Sequence, residues 1–389
     1  MKAVFNRDIL LSALSPAAAV APSKNTISTI EGILFECPGD EDGSCRITSY
    51  DMEKGLRTSI AADIIEEGKY IINSQHILQI VKSMPSGDIT IEIDDKNRVK
   101  ITGGNSFFEI NSIPGENYPS LPLLAGEKSY RLPQYIFRDL ISKTAFAAAV
   151  NAQKAIFNGV YFTVENGVMR CVGCDGNRLG LAETEVEGEA ENASFIVPAK
   201  ILFELLRMIH DTEDTVDIML ARKHVIFKVG EFTYFSRLID GEYINYQRII
   251  PDNFERCAYL NAEAMKGAAE RASIVTEDKL GGGSSSKPYV KLEFENNELK
   301  ISSASTGGSV HETIPVAMTG EPLVIAFNCK FLIDALKAAD DAETVCFKMN
   351  GPLMGICIEK ANGGENEANE AENKVKYMLF VMPLRMNGK

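Results

Sequence analysis

The feature that most restricts the fold of this chain is an internal repeat. Three segments align without a gap: YIINSQHILQIVKSM from Tyr70, FIVPAKILFELLRMI from Phe195 and IAFNCKFLIDALKAA from Ile325, recurring 125 and 130 residues apart. In each, a short apolar strand turns into a helix whose apolar residues return at helical spacing: Ile77, Leu78, Ile80, Val81; Leu202, Phe203, Leu205, Leu206; Leu332, Ile333, Ala335, Leu336. Such a stripe must pack on something, and three copies of it describe one supersecondary unit used three times.

The surroundings repeat as well. Ahead of each copy lies a two-strand pattern with a polar turn: ILFECPGDEDGSCRITSYD, VYFTVENGVMRCVGCDG and VKLEFENNELKISSAS. Further strands follow each copy, in RVKITGGNSFFEINSIP, HVIFKVGEFTYFSRLID and MGICIEKA with YMLFVMPLRM. A helix opens each unit, over Phe5 to Ser15, Pro133 to Val150 and Asn261 to Val275. The expected fold is therefore α+β, three units of helix, strands, helix, strands, spanning residues 1–125, 126–252 and 253–389. The stretches 281–288 (GGGSSSKP) and 362–374 (NGGENEANEAENK) break the pattern and read as flexible loops.

Charge separates the repeated helix from the rest. The 389-residue chain carries a formal charge of −14, which excludes a protein that is basic all over and coats nucleic acid or anionic membrane. Yet one helical face, read at steps of four and seven residues, presents Gln75, Gln79 and Lys82; Lys200, Glu204 and Arg207; Lys330, Asp334 and Lys337. The last position is basic every time. One reading is a solvated face with i,i+4 ion pairs; the other is a sequence-indifferent surface for phosphates, and the lack of aromatic residues on it favours duplex over single strand.

Few residues suggest chemistry. The N-terminal MKAVFNRDILLSALSPAAAVAPS imitates a secretory signal, but Arg7 and Asp8 interrupt it, so it reads as an amphipathic helix. No apolar run approaches the ~18 residues that would suggest a membrane span. Eight widely scattered cysteines suit reduced cytoplasmic thiols. Cys171 and Cys174 form a lone CxxC, either two thiols on a strand or half of a redox or zinc site whose loosely spaced partners would be Cys37 and Cys45. No nucleophile elbow, dinucleotide fingerprint or phosphate loop is present, and no catalytic residue, metal or cofactor is assigned.

The segments FNGVYFTVENGVMRCVGCDGNRLGLAE, FSRLIDGEYINYQRIIP, ERASIVTEDK, FNCKFLIDAL and FVMPLRM, in that order along the chain, resemble the bacterial DNA polymerase III β subunit family of sliding clamps. The resemblance implies a non-enzymatic ring in which two chains join head to tail, with helices lining the hole and sheets outside. It implies DNA contacts at Lys24, Lys82, Lys200, Arg207, Lys330 and Lys337, where Lys24 enters from the family alone. It implies a homodimer contact of Phe108 and Ile110 with Ile274 and Val275, residues that would otherwise be ordinary core. It also implies a hydrophobic cleft for short peptides of DNA polymerase III, the clamp loader and other proteins. That cleft maps to Lys154, Phe157, Cys174, Gly176, Asn177, Arg178, Leu179, Ile244, Ile249, Phe380, Val381, Met382, Pro383, Leu384, Arg385 and Met386. Read without the resemblance, Met382 and Leu384 are strand core and Asp175 to Arg178 a plain hairpin turn. Family members commonly carry Thr, His and Pro where this chain has Cys174, Asn177 and Ile244, which bears on peptide preference, and Asn387, Gly388 and Lys389 extend past the family's usual end.

Overall fold

The structure, a computed structural model, describes residues 1–39, 43–122, 126–186, 190–276, 289–305, 308–361 and 374–386. The expected loop at 281–288, the expected loop at 362–374 except Lys374, and residues 387–389 lie outside the described residues. Among the described residues six α-helices fall two to a repeat: α1 (Arg7–Val20) and α2 (Ser74–Ser83), α3 (Gln134–Ser142) and α4 (Ala199–Leu205), α5 (Ala262–Thr276) and α6 (Cys329–Ala338). The second helix of each pair is the segment singled out by periodicity. Its apolar stripe is inside, with Ile77, Val81, Leu202, Leu205, Leu332 and Leu336 all buried, while Phe203 is 45% exposed. Asn73 and Asn328 cap α2 and α6 by accepting backbone N–H groups of the first turn.

Three boundaries differ from expectation. Residues 2–6 form a strand rather than the start of a helix, because Ala3 and Phe5 alternate into the core and Lys2–Asn6 pairs with Asp88–Ile93. The Asn6 side chain then caps α1, which continues past Pro16 to Val20. Helix α3 stops at Ser142 instead of near Val150, and Thr144 turns its hydroxyl back onto the Leu140 carbonyl at 2.6 Å. Helix α4 stops at Leu205, so Arg207 sits in the turn that follows it.

The hairpins before α2, α4 and α6 hold a third strand that the two-strand pattern did not include: Lys54–Ala61, Arg178–Glu185 and Gly308–Pro315. Those third strands organise the molecule. The chain divides into two compact units, one of residues 1–135 with 204–238, the other of residues 136–203 with 239–389, so the second repeat is shared between them.

In the first unit a 13-stranded antiparallel sheet runs through both repeats, because Lys54–Ala61 pairs with Phe232–Arg237 in the register Leu56↔Tyr234. In the second unit a 9-stranded sheet is joined the same way, by Arg178–Glu185 against Lys376–Val381 in the register Leu179↔Phe380. A 4-stranded sheet there ends on Gly308–Pro315. Gly173 and Gly180 let the backbone of Lys143 and Thr144 lie against the 9-stranded sheet, since a Cβ at either would sit within 2.4 Å of a carbonyl oxygen, 2.1 and 2.3 Å respectively. Among the described residues no helix is long and apolar enough to cross a membrane.

Candidate functional site

The strand Lys376–Val381 separates two apolar clusters, as a period of two requires. Leu379 and Val381 point into the core of the third repeat. Met378, Phe380 and Met382 point the other way, into a cluster with Val172, Cys174, Leu179, Ile196, Tyr243, Tyr246 and Cys357. Phe157 and Ile244 pack against that second cluster and are only half-buried. Beyond the strand, the Met382 N–H donates to the Asn177 carbonyl (2.8 Å) and the Leu384 N–H to the Ala326 carbonyl (2.7 Å). Those two bonds hold Met382, Pro383 and Leu384 half-buried on the surface, with Arg385 and Met386 exposed.

The structure thus gathers Phe157, Cys174, Leu179, Ile244, Phe380 and Met382 into one apolar surface. Lys154, exposed, precedes the short 3-10 helix Ala155–Asn158, and Ile249, 38% exposed, follows the one at Tyr246–Arg248. Val381 belongs to the opposite face. Sequence reading missed Tyr243, which stacks on Tyr161 at 4.8 Å and donates its hydroxyl to the Val172 carbonyl. It also missed a pocket farther along the same strands, lined by Leu181, Met378, Tyr246 and Ile250 with Arg170 and Lys376 at its margin. The alternation of Met378, Phe380 and Met382 was its only sequence signal.

Cys174 and Gly176 to Leu179 enclose a turn beside that apolar surface. Gly176 takes φ +88°, and the Asp175 carboxylate accepts the N–H groups of Asn177 (2.8 Å) and Arg178 (3.1 Å). The Arg178 guanidinium donates to Asp175 (3.0 Å) and to Asp334 on α6 (2.5 Å), and lies over the Phe331 ring at 4.7 Å. It is therefore engaged in holding the turn to α6. The first unit contains the same device: Asp51 accepts from Glu53 and Lys54, and the Lys54 ammonium reaches both oxygens of Glu204 at 2.6 Å, where the Tyr234 hydroxyl also donates. Burial pushes the thiols of Cys171 and Cys174 above their ordinary pKa, which disfavours the thiolate that metal or redox chemistry needs. Among the described residues no three His, Cys, Asp or Glu side chains cluster as a metal site.

Those two ion pairs change the reading of the repeated helix face. Its only acids, Glu204 and Asp334, are turned to Lys54 and Arg178, while Lys24, Lys82, Lys200, Arg207, Lys330 and Lys337 are all exposed. Lys337 also touches Glu270 at 3.1 Å, but both side chains are largely in water and such a pair is weak. Arg7 donates to the last carbonyls of α2, at Val81 and Lys82, while paired with Asp8 at 2.7 Å. Of the expected dimer residues, Ile274 is 73% and Phe108 37% exposed, Ile110 and Val275 are half-buried, and Phe107, not anticipated, is 58% exposed.

Three profiles of the DNA polymerase III beta subunit match the chain in series: the N-terminal domain over residues 1–122, the central domain over 131–245 and the C-terminal domain over 247–372. The beta sliding clamps of Staphylococcus epidermidis and Staphylococcus aureus are each 27% identical over 353 residues, covering 88% of this chain and 91% of theirs. The crystal structure of the sliding clamp from Pseudomonas aeruginosa bound to griselimycin superposes with a TM-score of 0.87 at 25% identity, covering 99% of this chain and 100% of that one. The Bacillus subtilis clamp shares the fold with a TM-score of 0.89 at 24% identity, over 99% of both chains.

Proposed function

This chain belongs to the DNA polymerase III beta subunit family, and on that premise we propose that it is a non-enzymatic, cytoplasmic sliding clamp. Two copies close a ring around duplex DNA and tether DNA polymerase III, the clamp loader and other partners through the cleft at Met382. The observation that carries this reading is the junction made twice within one chain. The third strand of repeat one pairs with the last strand of repeat two, and that of repeat two with the last strand of repeat three. Two complementary ends are left over. Gly308–Pro315 pairs on one side only, and the Ser106–Asn111 part of the last strand of repeat one pairs only with Arg98–Gly103 among the described strands.

Among the described strands no third junction joins those ends, and in this proposal a second copy supplies it, head to tail, with the repeats 1–125, 126–252 and 253–389 as the ring's units. The exposed Phe107, Phe108 and Ile274 lie on or beside these strands and helices as an interface core would require. Gln79 occupies in repeat one the place of Glu204 and Asp334, each of which pairs with a cation of the preceding repeat, Lys54 and Arg178. Six exposed cations on the helix faces then suit phosphates without base readout, and encirclement supplies retention that modest charge alone would not. Sedimentation tests the closure. The wild-type chain is expected to be a dimer and Ile274→Ala with Val275→Ala a monomer; an unchanged dimer in the variant would remove this interface.

A further inference from the structure

We propose that Cys37 and Cys45 are a peroxide-oxidised thiol pair, a modification site in the first repeat distinct from the cleft and the basic face. The register of Gly32–Cys37 against Ser44–Tyr50 runs Leu34↔Thr48, Phe35↔Ile47, Glu36↔Arg46, and its continuation sets residue 37 opposite residue 45. Directly opposed residues of an antiparallel pair have Cα atoms ~4.5–5.5 Å apart, inside the ~4.4–6.8 Å that a disulfide spans. The two sulfurs already face each other at 3.0 Å, and both side chains are buried, at 2% and 0% exposure.

The pair also differs chemically from the other cysteines. The hydrogen bond between the two sulfurs lowers the Cys37 thiol despite burial and raises that of Cys45, whereas at Cys171, Cys174, Cys346 and Cys357 burial is the first cause of a raised thiol. Cys37, 2% exposed against 0% for Cys45, attacks and Cys45 resolves, and exchanging the two sulfurs leaves the chemistry balanced. In the first step the Cys37 thiolate attacks one oxygen of hydrogen peroxide; the O–O bond breaks, leaving Cys37 as a sulfenic acid and releasing hydroxide, which takes up a proton. In the second the Cys45 sulfur gives up its proton and attacks the Cys37 sulfur, expelling water. Two thiols lose two electrons, peroxide accepts them, and the net products are one disulfide and two waters. Burial limits the oxidant to a small one.

The test uses the full chain treated with hydrogen peroxide, unfolded in an alkylating agent and digested for mass spectrometry. The expected result is a linked Cys37–Cys45 peptide two hydrogens lighter than its parts, two fewer titratable thiols than the eight present, and full reversal by dithiothreitol. Cys45→Ser should instead leave a dimedone-reactive sulfenic acid at Cys37, and Cys37→Ser a free Cys45. Alkylation of both thiols after peroxide has oxidised the half-exposed Cys257, or a bridge to any other cysteine, overturns the proposal.

Discussion

Replacing Lys54 with Met tests whether the junctions between repeats rest on buried ion pairs. The Lys54 and Glu204 side chains are 5% and 15% exposed, and the ammonium lies 2.6 Å from each carboxylate oxygen. Opposite charges about 3 Å apart attract by about 5 kcal/mol at an effective dielectric near 20, and removing one partner of a buried pair costs ~3–5 kcal/mol because the other stays behind uncompensated. Glu204 keeps the Tyr234 hydroxyl, so the lower end, about 3 kcal/mol, is expected for Lys54→Met. Removing all three polar groups, as Lys54→Met, Glu204→Leu and Tyr234→Phe, strands no charge and should return stability to within about 1 kcal/mol of wild type. Native-state hydrogen exchange is the assay, since a chain of two units need not unfold in one step. The amides of residues 54–57 and 233–236 should lose about 3 kcal/mol of protection in the single variant and regain most of it in the triple. A loss under ~1 kcal/mol in Lys54→Met, or a triple variant as unstable as the single, would refute the argument.

Met382→Ala with Leu384→Ala should weaken a polymerase-derived clamp-binding peptide by about 2 kcal/mol or more, roughly thirty-fold, in a fluorescence-polarisation titration, while the dimer persists. Collapse of the dimer would return these residues to the core. Lys200→Glu with Arg207→Glu should lower the slope of log affinity against log salt for duplex DNA by about two; an unchanged slope would make the face mere solvated surface. Acid stability should show Asp341: burial raises its carboxyl, but the hydrogen bond and charge of Lys143, 2.5 Å away and 1% exposed, together with Lys360, hold it below the usual carboxylate value. A depressed native pKa adds stability that is present above the unfolded value near ~3.9 and is lost as pH falls through the native one. Lys143→Met should therefore lose stability at pH 7 and show a flatter decline into acid, measured as urea midpoints at descending pH.

Much of this fold is legible where local rules decide it. The stripes of α2, α4 and α6 have helical period, and Asn166-Gly167 and Asn296-Asn297, all at positive φ, make the tight hairpins that alternation predicts. What escaped reading is what distant partners decide. Arg178–Glu185 carries charge at Arg178, Glu183 and Glu185 and becomes a central strand only because Lys376–Val381, some two hundred residues on, lies beside it. Nothing local tells that Lys54 meets Glu204, 150 residues away, or that this contact takes an acid off the basic face. The resemblance names a set of residues but not their sidedness: the strand's alternation sends Phe380 and Met382 one way and Val381 the other.

In the proposed function this chain holds DNA by topology. Clamp loaded by its ATP-driven loader onto nicked circular DNA should co-elute with the circle through gel filtration at a salt concentration that abolishes simple binding, and should be released when the circle is cut once with a restriction enzyme. Equal retention on circular and linear DNA, or none on either with a competent loader, would contradict the account.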